Sequence, residues 1–150
     1  MVTPHEQLDK RFSKMRPFAQ VARPSRGWIR AIREALGMTT GQLAKRLGVQ
    51  QPRIIVLERG EVDGNITVKS LERTAEALGC RLVYALIPEK PLADTIRKRA
   101  SLIAKRQLAS VEQTMRLEAQ GVPDKAQHTE AHQRLVERLL RRPARLWDEQ

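Results

Sequence analysis

Between Gly48 and Gly60 the chain reads VQQPRIIVLER, a stretch whose side chains are suited to recognition of base-pair edges. Gln forms paired hydrogen bonds with N6 and N7 of adenine, Arg with O6 and N7 of guanine, and a valine packs on the thymine methyl. Gln50, Gln51, Arg53, Val56 and Arg59 therefore hold the right chemistry, provided one rigid element presents them together. On a helical wheel Pro52, Arg53, Val56 and Arg59 lie opposite Ile54, and Gln50 and Gln51 project from the N-terminal end. Pro52 suits a first turn, where its missing N–H has no intrahelical partner, and the free amides of that turn favour a phosphate. Asn65 completes the expected contact set.

Other chemistry is poorly supplied. There is no glycine-rich phosphate loop and no nucleophile elbow, and Cys80 has no nearby histidine. His128 and His132 stand at i and i+4 with Glu130 between them, but HTEAH lacks the HExxH order and a third ligand. The expectation is solvent-facing histidines, no metal, no cofactor and no enzymatic activity.

The elements that must position the reading face follow from the glycines. Gly37, Gly48, Gly60 and Gly79 each follow an apolar-periodic segment, as the left-handed residue past a helix end does. Thr39 to Leu47 turns Leu43, Ala44 and Leu47 inward; Gln50 to Arg59 turns Ile54 and Leu57 inward; Thr67 to Leu78 carries Val68, Leu71, Ala75 and Leu78. Ala44 in the middle of one helix, Gly48 in a tight turn and a following helix with a polar outer face are the parts of a helix-turn-helix. Ahead of them, Ser25 offers a cap for a helix bearing Trp28, Ile29, Ile32, Ala35 and Leu36. Thr3, Pro4 and Glu6 start another, which runs to about Arg16.

Arg81, Leu82, Val83, Tyr84, Ala85, Leu86 and Ile87 change the period, because branched and aromatic side chains fill both parities before Pro88. The pattern predicts one strand buried on both faces. A lone strand cannot satisfy its own backbone groups, so it pairs with its copy in a second subunit around a two-fold axis, or with an irregular segment of its own chain. Beyond Pro91, Leu92, Ile96, Ala100, Ile103, Val111 and Met115 form one helical stripe. Gly121, Val122 and Pro123 break it, and Leu135, Val136, Leu139 and Leu140 line a second helix. The expected divisions are 1–27, an N-terminal helix and basic arm; 28–79, the helix-turn-helix domain; 80–90, the dimerisation strand; and 91–150, a helical hairpin.

Composition sets the partner class. The 28 Lys and Arg against 17 Asp and Glu give +11, spread along the chain, and such a field favours nucleic acid first and an anionic membrane surface second. Aromatic residues are 3% of the chain, too sparse for a base-stacking platform, which favours duplex over single strands or RNA. The longest apolar run, Leu82 to Pro88, is too short to span a bilayer, and the single cysteine suits a reducing compartment. A soluble, cytoplasmic protein without a membrane partner is expected.

The stretch from about Trp28 to Leu78 resembles the DNA-binding domain of the lambda-repressor and Cro family, through Leu43, Ala44, Leu47, Gly48, Ile54, Leu57, Glu58, Gly60, Leu71, Ala75 and Leu78. The resemblance implies a mostly α fold with a bundle of five short helices, here followed by one dimerising β-strand and a C-terminal helical extension. It implies an ion pair between Arg33 and Glu58, a leading base reader at Gln51 and further contacts at Arg53 and Val56. Many members have a DNA-contacting Gln where this chain has Thr40, which can still reach a phosphate; the alternative is that Thr39 or Thr40 is the helix cap. At full length, including LGCRLVYALIP, the chain is similar to the mobile mystery protein A family, helix-turn-helix proteins found beside a Fic-domain partner. These resemblances imply a homodimeric, autorepressing regulator on a palindromic double-stranded DNA operator. The alternative is an antitoxin-like protein whose C-terminal helices bind a Fic-type partner.

Overall fold

The computed structural model describes residues 1–118, 121 and 123–148. Among them are seven α-helices and no strand: α1 (Pro4–Met15), α2 (Trp28–Ala35), α3 (Thr40–Leu47), α4 (Gln51–Asp63), α5 (Val68–Ala77), α6 (Leu92–Leu117) and α7 (Lys125–Leu140). Single 3-10 turns occupy Arg16–Gln20 and Pro143–Trp147. The chain divides into two compact units, Pro17–Leu86 and a second formed by Met1–Arg16 with Ile87–Gln150.

In the unit 17–86, α2 to α5 close around Ile29, Leu43, Ala44, Ile54, Leu57 and Leu78. Leu43 and Ile54 are fully buried, a gain of about 2 kcal/mol each over leaving them in water. Thr39 caps α3: its hydroxyl accepts from Gln42 N at 3.2 Å, and its own N–H donates to the Gln42 side chain at 2.9 Å. Gly48 ends that helix at φ 68°, and Val49 N–H reaches back to Ala44 O at 3.0 Å. That left-handed residue fixes the angle at which α4 leaves α3.

Three local expectations are corrected. Ser25 does not cap α2; Gly27 stands at the cap with φ 85°, and the first amides are satisfied from a distance by Glu61. Gly60 does not end α4, which continues one turn to Asp63 and stops at Gly64 with φ 79°. The extra turn buries Glu61, and Ile66 folds to 3.6 Å from where a Gly60 side chain would begin. Of the five helices expected of the bundle, the stretch from Trp28 to Leu78 holds four, α2 to α5.

The expected strand is also absent. Arg81 to Ile87 forms no ladder, and Val83, Tyr84 and Leu86 are 76%, 75% and 88% exposed rather than buried on two faces. Branched residues favour extended backbone, but a strand exists only when neighbouring backbone groups take its hydrogen bonds. The described chain supplies none, and the two-fold pairing expected of this segment loses its basis.

In the second unit α6 packs on α1 and α7. Ala100, Ile103 and Leu146 form its buried centre, with Ile96, Val136, Leu139 and Leu140 against it. Ser101 meets His132 and Glu112 meets His128, so α6 and α7 run antiparallel. Val111, expected on the inner stripe, is 54% exposed. Pro91 cannot cap α6 with a side chain, and Asp9 of α1 does so instead. Its carboxylate accepts from Leu92 N at 2.7 Å and Ala93 N at 3.0 Å. Arg99 donates to Leu146 O at 2.8 Å and stands 6.0 Å from the Trp147 ring centre, latching the last turn onto α6. Of the expected break, Val122 lies outside the described residues.

Candidate nucleic-acid interface

Helix α4 has one side fully committed to packing, which leaves its outward side free for a partner. Ile54, Leu57, Glu58 and Glu61 are its buried residues; Pro52, Arg53, Val56 and Arg59 lie across from them, all exposed. Neither Arg53 nor Arg59 is ion-paired among the described residues, so both guanidinium groups keep all five donors for another acceptor.

The helix is held from behind by charge as well as by aliphatic contact. Arg33 Nε donates to Glu58 at 2.5 Å and Nη2 to its second oxygen at 3.3 Å, while Nη1 donates to Met38 O at 2.9 Å. Both partners are 8% exposed. The hydrogen bond from Glu58 outweighs desolvation and raises the Arg33 pKa further above its ordinary value. This fork ties α2, the turn before α3 and α4 together, and it consumes Arg33 and Glu58 structurally.

At the N-terminal end Gln51 and Thr40 meet: Gln51 Nε2 donates to Thr40 Oγ1 at 2.9 Å. The pair orients the Gln51 amide and leaves its carbonyl oxygen and one N–H for a ligand. Gln50 stands just outside as the N-cap, exposed and making no capping bond with its side chain. Asn65 follows the left-handed Gly64, with its backbone N–H on Gly60 O at 2.8 Å.

Two open grooves flank α4. One, of 330 Å³, runs toward the start of α5 and is lined by Arg53, Val56, Arg59, Asn65, Thr67 and Ser70 among others. The other, of 290 Å³, runs toward the start of α2 and is lined by Ser25, Arg26, Arg30, Ile55, Arg59 and Val62 among others. The structure thus gathers Arg53, Val56, Arg59 and Asn65 along one groove, and Gln51 with Thr40 at the helix start.

Sequence reasoning missed Ile55, which is 52% exposed beside Val56, and Arg26 and Arg30 on the far groove. The 100° step per residue places Ile55 on the flank of the outward face, a signal already present in the helix expected over Gln50 to Arg59. It also missed Glu61. That carboxylate accepts from Trp28 N at 2.7 Å and Ile29 N at 2.9 Å, and Arg23 holds the carbonyls of Glu61 at 2.6 Å and Val62 at 3.3 Å. A side chain added at Gly27 would begin 2.7 Å from the Glu61 carboxylate.

Elsewhere, His128 Nδ1 lies 2.6 Å from Glu112 and His132 Nε2 lies 3.2 Å from Ser101 Oγ. Both histidines reach α6 while staying partly exposed to solvent, and no group of three metal-ligating side chains occurs among the described residues. No described helix is long and apolar enough to cross a membrane.

Residues 29–84, well under half of the chain, match the family model described as helix-turn-helix. The match supports a DNA-binding transcription regulator. Neither the curated proteins nor the solved structures returned a match, and nothing in these comparisons supports the likeness to the mobile mystery protein A family.

Proposed function

We propose that this chain is a sequence-specific regulator that reads duplex DNA by placing α4 in the major groove. The observation that carries the reading is the outward face of α4: Arg53, Val56 and Arg59 stand exposed and unpaired on a helix fixed from behind by Ile54, Leu57 and the Arg33–Glu58 fork. Direct readout needs such a face, since the bases can be compared only by side chains held in register with their edges. Gln51, oriented by Thr40, is the adenine reader; Arg53 and Arg59 are guanine or phosphate contacts; Val56 and Ile55 suit thymine methyls. Asn65 and the start of α5 face the sugar–phosphate chain beyond one groove, and Arg26 and Arg30 face it beyond the other.

The test is selection of bound sequences from random duplexes, followed by footprinting of the chain's own promoter, where autorepression predicts protection. Arg53→Ala is expected to cost about 1 to 3 kcal/mol at one base position. Unchanged discrimination at every position would remove Arg53 from the readers. Paired half-sites about one helical turn apart would assign two copies to the operator, and a single half-site would assign one.

A further inference from the structure

The second unit has a cationic face that its own architecture does not explain. α6 presents Arg97, Lys98, Lys105 and Arg106 to solvent, and a shallow groove of 360 Å³ is lined by Arg97, Lys98, Ser101, Leu102 and Lys105, with Asp94 at one side. None of the four cations is ion-paired among the described residues. The positions one turn away from them are Ser101, Leu102, Ala109 and Ser110 on one side; on the other, Asp94 is the one nearby carboxylate, and it makes no ion pair with Lys98.

The cations beyond α6 are arranged differently: Arg134 is paired with Glu130 one turn earlier, and Arg138, Arg141 and Arg142 cluster at the C-terminal end of α7, where the free carbonyls favour them. Arg97, Lys98, Lys105 and Arg106 have neither a carboxylate partner nor a helix C-terminus beside them.

We propose that this face of α6 is a second docking surface for the phosphate backbone of duplex DNA, independent of base sequence. It goes beyond the reading of α4, on which it rests only for the choice of polyanion. Lys98 and Lys105 are separated by about 10 Å along the helix axis, the span of about three base-pair rises along a duplex. No aromatic side chain lines the groove and no base-reading amide lies among its lining residues, so the attraction is electrostatic and carries no sequence information.

The experiment uses the full chain and a random-sequence duplex three helical turns long, with affinity followed across a salt series. A variant with Arg97, Lys98, Lys105 and Arg106 all changed to Gln is expected to flatten the dependence of log K on log salt by up to about 0.9 for each phosphate that is no longer neutralised. A second variant of equal charge, with Lys125, Arg134, Arg138 and Arg141 changed to Gln, is expected to keep the slope near wild type. Circular dichroism confirms that both remain folded, and single Lys98→Gln and Lys105→Gln changes replace the fourfold variant if it does not. Equal flattening by both variants would reduce the effect to net charge and overturn the proposal. So would an unchanged slope, or binding of phosphatidylserine vesicles that disappears with the α6 cations while the DNA slope stays constant. Wild-type protein that binds no duplex would defeat this proposal and the reading of α4 together, whereas binding with an unaltered slope defeats this one alone.

Discussion

The unit 17–86 and the unit built from the two chain ends hold their helices by different means. The first buries charge: Arg33, Glu58 and Glu61 are among its least exposed residues, and each has partners set by geometry. The second buries no charged side chain among its described residues; its centre is Ala100, Ile103, Ala104 and Leu146, and its polar ties, Asp9 and Arg99, act from half-exposed positions. A buried charge is strongly destabilising once its partner is removed, while packing between small apolar residues tolerates adjustment. The helix that carries the reading face is therefore braced by groups that permit one arrangement.

The largest test of this contrast is Glu58→Ala, which leaves the Arg33 guanidinium buried without its carboxylate. The expected loss is about 3 kcal/mol, read by urea unfolding. Each unit contains one tryptophan, Trp28 in the first and Trp147 in the second, so Trp147→Phe and Trp28→Phe backgrounds report on them separately. The Trp28 signal should shift and the Trp147 signal should not. A combined Arg33→Met and Glu58→Leu change should cost less than Glu58→Ala alone, because it leaves no orphan charge. Equal shifts in both reporters would end the contrast.

Next in size is the cap supplied by Glu61. Glu61→Ala strands the amides of Trp28 and Ile29, at about 1 to 3 kcal/mol. Gly27→Ala imposes a left-handed backbone on a residue with a side chain, at about 1 to 2 kcal/mol, and drives its Cβ toward the Glu61 carboxylate. The double variant should lose less than the sum of the singles, since removing the carboxylate relieves the collision. Strict additivity in the cycle would show that the two residues do not meet.

What the sequence disclosed and what it withheld divide along the same line. Helices α3 and α4 were legible because leucine, alanine and glycine spacing is a local signal, and the Arg33–Glu58 partnership came from the resemblance alone. Glu61 was not legible, since its partners are 32 and 33 positions away and Ser25 offered a nearer cap that the structure does not use. Likewise nothing near Pro91 points to Asp9, which is 83 positions away. The segment 81–87 misled for the opposite reason: its pattern is strong, but a strand is a relation between two segments and only one was visible. On the reading face, the period gave direction for Arg53, Val56 and Arg59, and for Ile55 as well, whereas the open groove beside Ile55 is a property of the folded unit.

A smaller effect is expected at Gly60, which is helical and has ordinary van der Waals distances where a side chain would enter. Gly60→Ala should raise the stability of the first unit by about 0.5 to 1 kcal/mol through helix propensity, visible in the Trp28 transition. A loss instead would mean that Ile66 and Asn65 cannot yield, and that this loop is as tightly specified as the buried charges.

The smallest effect is local and falls in the second unit. Burial pushes the Asp9 carboxyl up, but the N–H donors of Ala93 and Leu92 together outweigh it and hold its pKa below the ordinary value. A carboxylate lowered on folding contributes stability above its unfolded pKa and loses it as the pH falls through the folded one. Acidification should therefore free the start of α6 at a pH below the usual aspartate range, with the Leu92 and Ala93 amide resonances titrating together and Asp9→Asn abolishing that titration. Arg33 has the opposite sign: its raised pKa means that its own deprotonation removes the interaction only in strong alkali. Amides at Leu92 and Ala93 that titrate in Asp9→Asn as in wild type would show that the cap comes from elsewhere, and would leave α1 without a directional tie to the helix it packs against.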